Sequence, residues 1–190
     1  MNLSRLLAEY AKDKPVRVGL IGAGKFGSMI LAQAQHIEGI HILAVADLDI
    51  EKAQASFARV GWDTKNCFAR SSQAALISGK TWLTQDAAAL CQIPEIDCVI
   101  EATGHPVFGV RHALNAIEHR KHVVMVNVEA DILCGPYIAQ KAAENEVIYT
   151  MAYGDQPAAI CELVDWVQSN GFELVSAGKG MNFQPEYRYS

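Results

Sequence analysis

Val16-Arg-Val-Gly-Leu-Ile21 runs directly into Gly22-Ala-Gly-Lys-Phe-Gly27, and this junction decides the fold. The first six residues are apolar enough for a short buried strand, and Phe26, Met29, Ile30, Ala34 and Ile37 then recur at the spacing of one helix face. A strand that turns into a helix through three glycines gives each a mechanical task. Gly22 permits the tight turn, Gly24 lets backbone approach a pyrophosphate, and Gly27 allows helix and strand to pack closely. The helix start adds unpaired N–H groups and a positive dipole end, both suited to phosphates. Lys25 and Phe26, inside the loop, are expected at the nucleotide with the glycines. Glycines are common in turns, so the triplet gains its weight from its place between strand and helix.

An acid downstream adds to it. His41-Ile-Leu-Ala-Val-Ala46 reads as a second strand, closing a βαβ unit of about 30 residues, and Ile50 to Ala58 supplies the next helix. Asp47 stands at the end of that strand, about 20 residues beyond the last glycine. A carboxylate there accepts hydrogen bonds from ribose hydroxyls and repels a 2′-phosphate, which favours NAD over NADP. The plainer role for Asp47 or Asp49 is to cap the next helix. Lys52 or Arg70 is also available to fold over a 2′-phosphate, so both cofactors stay open, as NAD(P).

The pattern weakens between Gly61 and Lys80, with a short helix over Ser71 to Ile77, and then resumes. Thr81 to Leu83 and Asp97 to Ile100 read as strands with a helical turn, Asp86 to Leu90, between them. Val107, Val110, Ala113, Leu114 and Ile117 give the next helix its apolar face, with Pro106 at its start. His122 to Val126 is a strand, Pro136 opens a helix through Asn145, and Val147 to Thr150 is the sixth strand. Strands and helices alternating at this cadence predict an α/β fold, a Rossmann-type doubly wound parallel sheet with helices on both faces. Before it, Leu3, Leu6, Leu7 and Tyr10 mark an amphipathic helix ended by Pro15, placed to dock on the domain or a partner subunit. After Tyr153 come a helix carrying Ile160, Leu163, Val164 and Val167, a strand over Phe172 to Ala177, and a turn at Gly178-Lys-Gly180. The expected organisation is an N-terminal helix over 1–15, an NAD(P)-binding domain over 16–152, and the start of an incomplete substrate domain over 153–190.

Composition sets bounds on function. At 190 residues, 51% hydrophobic and 19% charged, the chain is an ordinary globular protein, long enough for one domain and part of another. A net charge of −5 without a basic patch gives no footprint for nucleic acid or an anionic membrane. The five cysteines are scattered, with no Cys-x-x-Cys, as expected of reduced thiols in a cytoplasmic protein. No run of apolar residues suits a signal peptide or a membrane span. Hydrolase elbow, Walker and zinc-helix motifs are missing. His105, His112 and His119 are spaced by seven, a rise of about 10.5 Å per step along a helix, too far to share one metal.

The remaining candidate residues lie at strand ends, where a parallel sheet opens its ligand crevice. Thr103 and Gly104, in Glu101-Ala-Thr-Gly104, are neighbours of the cofactor or simply cap and turn. Asn127, in Asn127-Val-Glu-Ala-Asp131, is within reach of the nicotinamide ribose or amide, and Glu129 faces substrate or serves only the dipole of its helix. Asp155, in Tyr153-Gly-Asp-Gln-Pro157, is a helix cap or a catalyst. Lys179, between two glycines, is an exposed turn lysine or the polariser of a substrate carbonyl.

Taken together, Gly22-Ala-Gly-Lys-Phe-Gly27, Val-Asn-Val-Glu-Ala-Asp131, Tyr-Gly-Asp-Gln-Pro157 and Ala-Gly-Lys-Gly180 resemble the homoserine dehydrogenases that carry a C-terminal SAF domain, a group that includes the deoxyxylulose-phosphate reductoisomerase-like enzymes. The resemblance implies an NAD(P)H-dependent reductase of small oxygenated metabolites. Members of the group continue into an oligomerisation region and the SAF domain, so a homo-oligomer and a chain truncated at Ser190 are implied as well. Asn127 is followed by Val-Glu-Ala-Asp, where ordinary homoserine dehydrogenases have Asn-Lys and glucose-fructose oxidoreductase relatives have Glu-Lys-Pro. Hydride transfer near Glu129, Asp155 and Lys179 is the expected activity, and the competing expectation is a sensory module that binds NAD(P) without catalysis.

Overall fold

The computed structural model describes residues 5, 6, 9, 10, 14–152 and 156–178. The chain divides into two compact units, Met1–Thr150 and Met151–Ser190. Strands β1 (Val16–Ile21), β2 (Ile40–Ala46), β3 (Phe68–Ala69), β4 (Thr81–Thr84), β5 (Cys98–Glu101), β6 (His122–Met125) and β7 (Tyr149–Met151) alternate with helices α1 (Lys25–Ala34), α2 (Ile50–Arg59), α3 (Ser72–Ser78), α4 (Ala87–Cys91), α5 (Pro106–Glu118) and α6 (Val128–Glu144). Helix α7 (Gln156–Ser169) belongs to the second unit.

The strands make one seven-stranded sheet in the order β3-β4-β2-β1-β5-β6-β7. β1 pairs in parallel with β2 on one side and β5 on the other. The chain winds outward from β1 through β2 and then returns to β5, so the direction of winding reverses at the β1/β5 boundary. Right-handed crossovers then put α1 and α5 on opposite faces, and the carboxyl ends of β1 and β5 form the switch point where such sheets open a crevice. The predicted doubly wound fold is the one observed.

Phe57 of α2, fully buried, anchors the core between the sheet and the α1/α2 face. It meets Trp62 and Phe68 edge-on at 5.1 and 5.0 Å, and burying a ring of this size stabilises by about 2–3 kcal/mol. Caps match residue chemistry: Asp49, Ser71 and Asp86 each accept a backbone N–H at the start of α2, α3 and α4.

Several expectations need correction. Helix α6 begins at Val128, capped by Asn127, and Pro136 lies inside it. The proline is exposed and brings no N–H to the carbonyl one turn earlier. The weak region after Gly61 contains β3, two residues long, at the sheet edge. Phe172 to Ala177 form no strand; Phe172 instead donates its amide to the Val167 carbonyl at the end of α7. The face that α1 buries carries Gly27, Ser28 and Leu31, while Phe26 and Met29 are exposed. Residues 5, 6, 9 and 10 are helical as expected, but Leu6 and Tyr10 are exposed, and Leu3 and Leu7 lie outside the described residues.

Candidate functional site

At the switch point two turns meet. Gly22 has φ +95°, and a Cβ on it would sit 2.8 Å from the Ala102 carbonyl and 2.9 Å from the Thr103 nitrogen. A Cβ on Gly27 would collide with the Gly22 carbonyl oxygen. Both positions therefore exclude side chains for reasons internal to the protein. Gly24 differs, because a Cβ there would meet nothing within 4 Å. Its side faces open space at the start of α1.

That open space suits an anion. The first-turn amides of a helix have no intrahelical acceptor, and Gly24, the N-cap of α1, brings no side chain to cap them. The first turn of α1 carries no acid, whereas that of α6 carries Glu129 and Asp131. The positive end of α6 is thus met by the protein's own carboxylates, and that of α1 is left to a ligand. A dinucleotide pyrophosphate fits this cradle. Lys25 and Phe26 are exposed beside it, the ammonium 6.0 Å from the ring centroid.

Asp47 does not cap α2; Asp49 does, accepting from the Lys52 amide at 2.9 Å. Instead Asp47 Oδ2 accepts from the Ala23 amide at 2.8 Å and Oδ1 from the Asp49 amide at 3.0 Å. The carboxylate thereby ties the end of β2 to the glycine loop, and each oxygen retains a second lone pair for another donor. Beneath the loop, Ser56 Oγ donates to the Ala23 carbonyl at 2.8 Å, and the Arg59 guanidinium reaches Ser28 and Ser56. Sequence reading missed this support, since serines on a helix carry no periodic signal.

Across the switch point, Thr103 and Gly104 are exposed, and Gly104 has φ +73°. Thr103 Oγ1 donates to Glu101 Oε1 at 2.5 Å, and His112 Nδ1 of α5 reaches the same oxygen at 3.2 Å. Glu101 is fully buried, and among the described residues its Oε2 has no hydrogen-bond partner. Neither Glu101 nor His112 stood out as a site residue in the sequence.

Asn127 is buried and already engaged. Its Oδ1 accepts from the Ala130 amide and its Nδ2 donates to the His105 carbonyl, both at 3.1 Å. Glu129 is exposed in the first turn of α6. Its neighbour Asp131 accepts from the Tyr149 hydroxyl at 2.6 Å, and burial together with that bond pushes the Tyr149 pKa up. Asp155 and Lys179 lie outside the described residues. Among the described residues no cluster of histidine, cysteine, aspartate or glutamate could hold a metal ion, and no helix is long and apolar enough to cross a membrane.

Comparison with known proteins places this geometry. No curated protein matches the chain. A homoserine dehydrogenase from Thiobacillus denitrificans is similar at 25% identity, with a TM-score of 0.56 over 73% of this chain and 29% of that one. An NAD-binding oxidoreductase from Klebsiella pneumoniae matches at 22% identity and TM-score 0.54, covering 83% of this chain and 39% of the other. A scyllo-inositol dehydrogenase from Lactobacillus casei, solved with NAD(H) and scyllo-inositol, matches at 14% and 0.55, covering 83% and 42%. The chain therefore spans between 29% and 42% of the length of these structures. Residues 154–190 match the catalytic domain of the oxidoreductase DRL. Residues 16–126 match the oxidoreductase family with an NAD-binding Rossmann fold, and the chain belongs to that family.

Proposed function

We propose that the chain forms the nucleotide-binding part of an NAD(P)-dependent oxidoreductase that acts on a small hydroxylated carbonyl metabolite. The observation that carries this is the contrast at the glycine loop: Gly22 and Gly27 are demanded by the protein's own backbone, whereas Gly24 is open toward the uncapped start of α1. In this proposal the pyrophosphate lies on Gly22, Gly24 and Gly27 and the α1 amides, with Lys25 and Phe26 beside it. Asp47 accepts from the adenosine ribose, and Thr103 and Gly104 line the opposite wall. The nicotinamide, when bound, supplies the hydride. Asn127 acts by holding the His105 carbonyl and the start of α6.

Substrate chemistry falls to Glu129, Asp155 and Lys179, the last polarising a carbonyl whose oxygen gains charge as hydride arrives. The match of residues 154–190 to a catalytic domain supports assigning catalysis to that segment. Together with the similarity to a homoserine dehydrogenase, it favours the SAF-bearing, reductoisomerase-like group within the family. The domain limits 16–152 and 153–190, a homo-oligomeric assembly and a cytoplasmic location belong to the same proposal. The five free cysteines favour that location.

The test is NADH and NADPH oxidation by the intact protein with a panel of hydroxy-aldehydes and sugar phosphates. Turnover that Lys179→Ala abolishes while dinucleotide affinity persists is the expected result. Tight binding without turnover on any substrate would leave a non-catalytic NAD(P)-binding module and sink the oxidoreductase proposal.

A further inference from the structure

Glu101 occupies a position where an apolar side chain would be expected. It ends the central strand β5, on the same face as Val99 two residues earlier, and both are fully buried. A buried carboxyl is costly unless its oxygens are all paired. It is the replacement of a whole buried polar pair by well-packed apolar residues that is often neutral or stabilising, whereas removing one partner leaves the other unpaired. Here Oε2 is orphaned, lying 3.2 Å from where a Cβ on Gly109 would stand. Stability alone therefore gives a poor account of Glu101.

What the carboxyl does hold is the turn beside the glycine loop. Oε1 receives the Thr103 hydroxyl and, from α5, His112 Nδ1, with the Thr103 amide at 3.4 Å. The same turn hooks onto β1 through the Ala102 amide and the Ile21 carbonyl at 2.8 Å. Since the missing side chain of Gly22 is what leaves room for Ala102 and Thr103, a shift in this turn is transmitted directly to the glycine loop. Thr103 and Gly104 are exposed, so the bond from the Thr103 hydroxyl to Glu101 is a side-chain anchor of the turn, beside the Asn127 amide on the His105 carbonyl.

We propose that Glu101, braced by His112, is a positioning residue: it clamps the Thr103 hydroxyl and so sets the wall against which the dinucleotide rests. The inference builds on the dinucleotide binding proposed above. Glu101→Leu leaves the Thr103 hydroxyl and His112 without their acceptor and so should lower the thermal midpoint modestly. Titrated well below that midpoint, it should bind NADH at least about tenfold more weakly, a loss the size of one hydrogen bond to a charged group. Thr103→Val, at an exposed position, should lose affinity to a similar degree. Glu101→Gln and Thr103→Ser, which keep the acceptor and the hydroxyl, should stay within about threefold of the parent. Without ligand, amide exchange in residues 101–105 should quicken in Glu101→Leu and Thr103→Val and not in the two conservative variants.

Fluorescence titration with NADH, thermal melts and hydrogen exchange on the intact chain test it. Parental affinity in Thr103→Val and Glu101→Leu overturns the clamp, as does equal loss in Thr103→Val and Thr103→Ser. Affinity that falls only in step with the thermal midpoint makes Glu101 a stability residue and overturns it as well. If the parent protein binds neither NADH nor NADPH, the clamp and the dinucleotide proposal fall together; if only the variants disagree, the clamp alone falls.

Discussion

The Asp47 carboxylate accepts a hydrogen bond from the Ala23 amide at 2.8 Å, so one side chain fastens the end of β2 to the middle of the glycine loop. Under the proposed function the acid has two tasks in one place, shaping the loop and receiving the ribose, and the tasks separate experimentally. Asp47→Ala should weaken NADH binding by about tenfold or more, the cost of losing hydrogen bonds to a charged acceptor. It should weaken NADPH binding less, since the repulsion toward a 2′-phosphate disappears with the charge. Titrating both nucleotides against both proteins measures the change in preference, and an unchanged ratio would remove Asp47 from the choice of cofactor.

Gly22 and Gly24 look equivalent in the sequence, but the structure predicts opposite consequences of adding one methyl group. Gly22→Ala forces a left-handed residue to carry a Cβ against the Ala102 carbonyl and should lose about 2–4 kcal/mol in denaturant unfolding. Gly24→Ala meets no protein atom and should keep stability within about 0.5 kcal/mol. It should nonetheless lose dinucleotide affinity, because the methyl group occupies the cradle. Stable, fully binding Gly24→Ala protein would show that the pyrophosphate lies elsewhere.

The fold was legible because strand, glycine turn and helix repeat with little ambiguity, and the glycine loop because its residues answer local steric demands. Helix faces were harder to read. Close approach to the sheet selects small residues, so α1 buries Gly27 and Ser28, and α5 buries Gly109, Ala113 and Ala116. Phe26, Met29 and Val107, which a hydrophobic-face reading points inward, are exposed. Pro136 read as a helix start because proline suits a first turn, but Asn127 had already capped that helix nine positions earlier. The Glu101–His112 contact joins residues eleven positions apart on a strand and a helix. It becomes visible only once β5 is known to run through Glu101 and to face α5.

Buried thiols should make the protein sensitive to alkali. Burial pushes the Cys91 thiol up to about 12 and Cys98 up to about 11, from 9.0. In both cases the folded-state value is raised, so the stabilisation is complete below pH 9 and is lost as pH rises through the folded values. Across that window Cys91 alone accounts for a loss of about 4 kcal/mol, an order-of-magnitude figure. Lys121 works in the opposite sense, since burial pulls its ammonium down and stability rises as it deprotonates. The thiol contribution is therefore read as a difference: Cys91→Ala should cost stability at pH 7 through its cavity but fall less steeply between pH 9 and 11. Parallel stability curves for the two proteins would exclude Cys91 as the cause.

Asn127 offers the sharpest separation between holding a site and touching its ligand. Its side chain caps α6 through the Ala130 amide and holds the His105 carbonyl, and it is buried while doing both. Removing it in Asn127→Ala takes the side-chain bond from the Ala130 amide and the His105 carbonyl, each of which keeps a backbone partner in the Asn127 carbonyl and the Gly109 amide. The change should therefore cost about 1–2 kcal/mol, the size of a lost cap. Asn127→Asp keeps the capping oxygen but sets a carboxylate oxygen against the His105 carbonyl in a buried place, so it should cost at least as much stability as Asn127→Ala. If Asn127 acts only through this scaffold, NADH affinity measured well below each variant's thermal midpoint should change by less than about threefold, apart from any drift of the His105 turn. A loss of a hundredfold in Asn127→Asp with its thermal midpoint preserved would mean that the amide reaches the nicotinamide itself, and would return Asn127 to the contact surface of the cofactor.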